Sequence, residues 1–367
     1  MTISPNATLL PTTRRGMLRG AALAAGAALL PLPFIRPSYA ARSLKVSAYG
    51  GFFEQSLSQH VYPEFTKASG IAVESLPQSE GTQFLLQLAE ANKGGTAPMD
   101  LCLCAQQDVL RGRAQGIWRG FSQAKLTNAG PIPDAYKHVD RDTFDGVGAM
   151  AWYLSFVVNA NEMKPLPDSW KVLWERQTAK PIWGLNGGGS SSLFEITASV
   201  YFGGIGVLDT HEGIDRVAAK MAELKPATKL WWDDEGTMQT ALQNEEVLGG
   251  TYYHDVAGTM VKAGTPVRSI FPKEGALQGF SSWCQPSAST RSAEALEFVQ
   301  FSSTPQAQEL IARFVGSAPV LPRTMLSLSD AEFAAVSSDK TPIPVAAQAR
   351  VRDAAYFETA FTRMVTG

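Results

Sequence analysis

Val147-Gly-Ala-Met-Ala-Trp-Tyr-Leu-Ser-Phe-Val-Val158 is apolar almost throughout and carries no Pro, Asn or Asp that would turn the chain. An ordinary strand has about 5–6 residues. A stretch this long reads as a strand that outruns one hydrophobic core and enters a second. Trp152 and Tyr153 sit at its middle. A shorter crossing strand is expected at 280–285. Two such strands divide the chain into two lobes, 41–156 with 280–324 forming the first and 157–279 with 325–367 the second.

On the N-terminal side of this stretch, short apolar strands alternate with helical patterns. The first strand, 44–49, ends at the turn Gly50-Gly51, after which Phe52, Phe53, Leu57, Val61 and Phe65 recur at helical spacing. Strands at 71–75 and 99–105 lead into helices at 82–92 and 108–114. On the C-terminal side, Pro165-Leu-Pro-Asp-Ser-Trp170 reads as a loop that caps a short helix through Asp168 or Ser169. A strand at 182–185 feeds Asn186-Gly-Gly-Gly-Ser-Ser-Ser192 and a helix at 193–202. Helices are expected at 211–224, 236–244, 256–263, 293–301 and 305–314, with strands at 247–252 and 267–271. Alternation of this kind gives an α/β fold with two mixed, mostly parallel sheets joined by hinge strands.

The first 40 residues stand apart. Thr13-Arg-Arg-Gly-Met-Leu-Arg19 is a twin-arginine pattern, the apolar run 21–35 is broken by Pro31 and Pro33, and Ser38-Tyr-Ala40 precedes a cut ahead of Ala41. The run is too short to span a bilayer. It reads as a cleaved twin-arginine export signal to the periplasm, with general secretion as the other route. The mature chain, 41–367, is long for one core. Without the four arginines of the signal it carries 28 basic against 34 acidic residues, and no basic run. That excludes nucleic acid as a partner and fits a soluble monomer.

Cys102, Cys104 and Cys284 are too few for a disulfide framework. Cys102 and Cys104 share one face of a strand, where direct pairing is geometrically poor. Buried thiols acting as small hydrophobes are expected, and a Cys104–Cys284 bridge stays open.

Catalytic constellations are missing. His60, His138, His211 and His254 form no pair with metal-helix spacing, and no serine sits in a Gly-x-Ser-x-Gly elbow. His254 and Asp255 are neighbours on a strand and so point to opposite faces. The chain reads as a non-enzyme without cofactor or metal. Three Gly- or Ser-rich turns lie at strand-to-helix junctions: Tyr49, Gly50, Gly51 and Phe52; residues 79–82; and 186–192 with Ser190, Ser191 and Ser192. Each offers backbone N–H groups to negative charge, although glycine and serine also serve as turn and cap residues in their own right. Trp232 and Tyr253 end strands beside Asp233 and Asp255. An aromatic face next to a carboxylate holds an organic ammonium. Gln107, Trp152 and Ser281 complete the candidate binding residues.

Leu44-Lys-Val-Ser-Ala-Tyr-Gly-Gly51, Pro63-Glu-Phe-Thr-Lys-Ala-Ser-Gly-Ile71, Asp168-Ser-Trp-Lys-Val-Leu-Trp174, Ala263-Gly-Thr-Pro-Val267, Pro272-Lys-Glu-Gly275, Ala293-Glu-Ala-Leu-Glu-Phe-Val-Gln-Phe301 and Gly316-Ser-Ala-Pro319 span most of the mature chain. Together they resemble the spermidine/putrescine-type solute-binding proteins of bacterial ABC importers. The resemblance implies two α/β lobes that close on a solute and deliver it to an inner-membrane permease driven by a cytoplasmic ATPase. The family's polyamine-holding acids do not carry over. Gly279-Phe-Ser-Ser282 stands where a Trp and an Asp are expected, Gly189–Ser192 where an acidic pair is, and Ser317 replaces a Tyr, whereas Tyr253 keeps an aromatic wall. An unpaired buried ammonium is costly. A zwitterion or small organic anion is therefore the expected cargo, its anionic end on Ser190–Ser192 and any ammonium near Tyr253 with Asp233 or Asp255. Polyamine is the alternative, and ferric ion on Tyr252-Tyr253 a third.

Overall fold

The computed structural model describes residues 42–79, 81–176 and 179–367. The signal expected at 1–40, Glu80 of the second turn and the side chain of Phe52 lie outside the described residues. β1 (Ser43–Tyr49) alternates, with Leu44, Val46 and Ala48 fully buried and Lys45 exposed. It pairs in parallel with β2 (Ala72–Gln78) and β3 (Leu101–Ala105). Short β4 (Phe121–Ser122) and β5 (Lys137–Asp140) lie antiparallel to the start of β6 (Thr143–Asn159). β7 (Trp183–Asn186), β8 (Thr228–Trp232), β9 (Gly249–Tyr253), β10 (Val267–Ile270), β11 (Leu277–Cys284) and β12 (Ile343–Pro344) complete the strands.

These strands hydrogen-bond in the order β2-β1-β3-β11-β6-β9-β7-β8. Both wings are parallel and the middle is antiparallel. The sequence suggests two mostly parallel sheets; the structure has one connected mixed sheet. The reason is that the crossing strands lie side by side, β11 against β6 from Leu277↔Leu154 to Trp283↔Val147. At roughly 3.4 Å per residue, the 17 residues of β6 are long enough for two cores. Phe144, Val147 and Met150 pack with Leu44, Phe65 and Phe298, whereas Leu154, Phe156 and Val158 pack with Trp170, Trp183 and Phe194. The α/β class and the two-core plan follow as the long apolar stretch implies.

Past residue 325, Leu328, Phe333 and Val336 cluster with Ala312, and Arg313 bonds Glu332 and the Ser327 carbonyl. The same segment also meets the helix that follows β9, with the Ala334 carbonyl 3.2 Å from His254 Nε2, and Ile343, Ala346 and Phe357 join the second core. Helices Ala347–Arg352 and Ala354–Thr366, which the sequence reading leaves unassigned, cover that core.

Two of the family-like motifs prove to be one structural joint. Glu274 accepts the Ser169 hydroxyl at 2.5 Å and the Trp170 N–H at 3.2 Å, and the Trp170 ring N–H donates to the Gly275 carbonyl at 2.7 Å. The Ser169 hydroxyl also accepts the Lys171 N–H at 3.1 Å, so it braces the chain entering helix Val172–Glu175 while it donates to Glu274. Lys171 holds the cap position of that helix without a side-chain bond of its own. The three cysteines are thiols packed among Phe84, Leu88, Val109 and Trp118. Cys284 lies opposite Cys102 in the ladder, and burial pushes both of these thiols well up. Among the described residues, no helix is long and apolar enough to cross a membrane.

Candidate binding cleft

β8 and β9 flank β7 in parallel, and each leads directly into a helix. Asp234 caps Glu235–Gln243 by accepting the Thr237 N–H at 2.9 Å. Tyr253 stands at the cap position of His254–Lys262, whose first turn holds Asp255. Across the ladder, Leu154 of β6 pairs with Tyr253. This brings Trp152 against Tyr253 with ring centroids 5.8 Å apart, and Trp232 against Tyr253 at 6.2 Å. The Trp152 ring lies over Gly279 of β11, where a Cβ would come within 2.1 Å of it. Three of the sequence-predicted aromatics therefore form one run. Trp232 is buried, and its ring nitrogen has no partner among the described residues.

Carboxylates follow both strand ends, Asp233, Asp234 and Glu235 after β8 and Asp255 after β9. Burial raises the pKa of Asp255, against the lowering effect of nearby backbone N–H groups. Burial also raises that of Glu235, helped by the charges of Asp255 and Asp234. Each gains from a cation, since an ammonium would offset the burial that penalises the ionised form. Asp233 is exposed. His254 is a satisfied buried histidine, with Nδ1 2.8 Å from Ser269 Oγ and Nε2 3.2 Å from the Ala334 carbonyl. Tyr252 is fully buried and its hydroxyl donates to the Glu235 carbonyl at 3.1 Å. Tyr252 and Tyr253 therefore point to opposite faces of β9 and do not converge as a ferric phenolate pair would.

The 186–192 turn is braced from within the chain. Several of its donors are engaged there. Gly187 N–H donates to the Trp232 carbonyl, Ser191 N–H to the Gly188 carbonyl and Ser192 N–H to Asn186 Oδ1. Ser191 is buried, and its hydroxyl donates to the Asn186 carbonyl. Gly189 N–H, the one that faces the cleft, donates to Glu358 at 2.7 Å. The glycines serve geometry. Gly188 has φ +73°, and a Cβ on Gly189 would strike the Glu358 carboxylate and backbone. Glu358 thus sits on the turn beside Ser190 and Ser192, and all three line one cavity.

A cavity of about 500 Å³ opens beside this turn, lined by Gln107, Trp152, Ser190 and Ser192 among others. Its charged residues were not singled out from the sequence. Arg111 pairs with Asp108 at 3.2 Å, both from helix Gln106–Ala114. Asp108 also accepts the Gly81 N–H at 3.2 Å. Arg350 is spent on Glu195 and on the Gly189 and Ser191 carbonyls. An Asp-x-x-Arg spacing on a helix after a strand was the available signal for Arg111. Nothing local couples Glu195 to Arg350. On the other flank, the Tyr49 hydroxyl is 3.1 Å from Ser281 Oγ. Gly51, at φ +72°, caps the helix after β1, with exposed Gly50 before it. Neither lines the cavity.

Comparison with known proteins agrees with this geometry. A family model described as bacterial extracellular solute-binding protein matches residues 61–335. A gamma-aminobutyric acid-binding protein of Pseudomonas aeruginosa is 22% identical over 294 residues, 78% of this chain and 79% of the relative. A solute-binding protein structure from Bordetella parapertussis shares the fold with a TM-score of 0.76 at 16% identity, covering 89% of this chain and all of the other. The spermidine/putrescine transporter substrate-binding protein of Streptococcus pneumoniae does so with 0.67 at 16% identity, over 88% of this chain and 98% of its own.

Proposed function

From the premise that the chain belongs to the bacterial extracellular solute-binding protein family, we propose that its cargo is a small zwitterion with one ammonium and one acidic end, of the ω-amino acid kind. The protein is the solute-binding component of an ABC importer. In this reading it works in the periplasm after loss of the twin-arginine signal and hands its solute to an inner-membrane permease. The observation that carries the ligand class is the aromatic run Trp152–Tyr253–Trp232, with Asp255 in the first turn of the helix that Tyr253 opens, a carboxylate whose burial favours a cationic partner. The Pseudomonas aeruginosa relative, by name a binder of gamma-aminobutyric acid, supports the same class. A polyamine has two ammonium ends. In the cavity, one of them would meet Arg111.

Thermal unfolding with a ligand panel tests this. At about a hundred times its dissociation constant a true ligand adds ~2.7 kcal/mol. A clear melting shift is expected from ω-amino acids, and not from diamines, dicarboxylates or ferric ion. A shift confined to putrescine or spermidine returns the protein to the polyamine reading.

A further inference from the structure

Resting on the zwitterion reading, we propose that Arg111 receives the acidic end of the solute and sets the preference of the cleft for molecules with one acid and one amine. Arg111 lines the same cavity as Trp152, the member of the aromatic run that reaches it, so an acid on Arg111 and an ammonium against the Trp152 ring would share one space. Its side chain is 31% accessible and has one ion pair, from Nη1 to Asp108. A guanidinium has five N–H donors in a fork that fits a carboxylate, and one bond to Asp108 leaves most of that fork for a ligand. Asp108, held by the Gly81 N–H, orients the arm.

The other cation of the cavity is not available. Arg350 is 8% accessible and its donors go to Glu195 and two carbonyls. The turn once expected to hold the anion has Glu358 on its Gly189 N–H. That leaves Arg111 as the cation open to an anion among the described residues of the cavity. The lining carries Arg111 and Arg350 against Asp108, Glu195 and Glu358, one negative charge in excess. A dicarboxylate adds to that excess and puts its second acid where no unspent cation waits. A diamine puts an ammonium beside Arg111. A zwitterion adds no net charge and meets neither penalty.

The test is calorimetry of wild type, Arg111→Gln and Arg111→Lys with a four-carbon ω-amino acid, succinate and putrescine. Arg111 sits half-exposed in the last turn of its helix, and equal melting temperatures establish that the variants fold. Arg111→Gln should weaken the amino acid by about thirtyfold or more. Arg111→Lys should recover part of the loss, because it keeps the charge without the fork. Putrescine should bind Arg111→Gln more tightly than wild type. Amino acid affinity within about threefold of wild type in Arg111→Gln overturns the proposal while leaving the cargo class in place. If the wild type takes putrescine and no amino acid, the cargo reading falls instead. The charge argument for Arg111 then stands only if Arg111→Gln tightens putrescine, and unchanged or weaker putrescine binding overturns it too.

Discussion

Glu195→Gln should lower the free energy of unfolding by about 3–5 kcal/mol. The Glu195 side chain is 1% accessible and that of Arg350 8%. Glu195 takes Arg350 Nε at 2.9 Å, Nη2 at 2.5 Å and the Ala346 N–H at 3.2 Å. The guanidinium lies 4.4 Å from the centre of the Phe357 ring and 5.2 Å from that of Phe194. Removing one charge leaves the other buried without a counter-ion, which costs more than the pair itself contributes. Urea unfolding of the variant gives the value as a shift of midpoint at constant slope. The double change Glu195→Leu with Arg350→Met should cost less than the two single changes summed, since no lone charge remains. Because Arg350 also clamps the Gly189 and Ser191 carbonyls, the pair ties the glycine-rich turn to the C-terminal helices. A loss under about 1 kcal/mol in the single variant contradicts this account of the turn.

Asp255→Asn should weaken an ammonium-bearing solute by about 2–5 kcal/mol, roughly thirtyfold to several thousandfold. The melting temperature should hold, because the amide oxygen of asparagine accepts backbone N–H bonds in the first turn as the carboxylate does. A pH series separates charge from shape. Burial raises the Asp255 pKa, and an ammonium favours its ionised form. Wild-type affinity therefore rises with pH through that raised pKa, and binding releases a proton. The unliganded fold shows the opposite trend: it holds the Asp255 proton more tightly than the unfolded chain. Its stability falls as pH climbs from the ordinary carboxylate range to the raised value, then levels off. Glu235 is raised in the same way and adds to the trend. Asp255→Asn should remove most of the pH dependence of affinity. Calorimetry in buffers of differing ionisation enthalpy reads the proton directly. Unchanged affinity in the variant removes Asp255 from the site.

The fold was legible where the pattern was local. β6 declared itself by length, and β1, β3 and β9 by short apolar runs between turns. The connected sheet was not legible, because a lone sequence does not say that β11 lies on β6 rather than across a gap. The C-terminal helices were missed for a similar reason. Asp353, Glu358 and Arg363 break the apolar pattern, and their partners, His211, the Gly189 N–H and Asp215, lie far away in sequence. In the site, the aromatics at strand ends were readable because strand polarity alone places them. The Gly-Gly-Gly-Ser-Ser-Ser turn was ambiguous. Glycines that admit another backbone look the same in sequence as glycines that admit a ligand. Arg350 and Glu195 lie 155 residues apart, and the chain between them gives no sign of the pairing.

The most direct test of the cargo is mass spectrometry of the small molecules released on denaturing protein gently purified from its native cells. The account predicts a compound with one amine and one carboxylate or similar acid, present in the wild type and depleted in Asp255→Asn. Recovery of putrescine or spermidine, or of iron held in place of an organic solute, would contradict it.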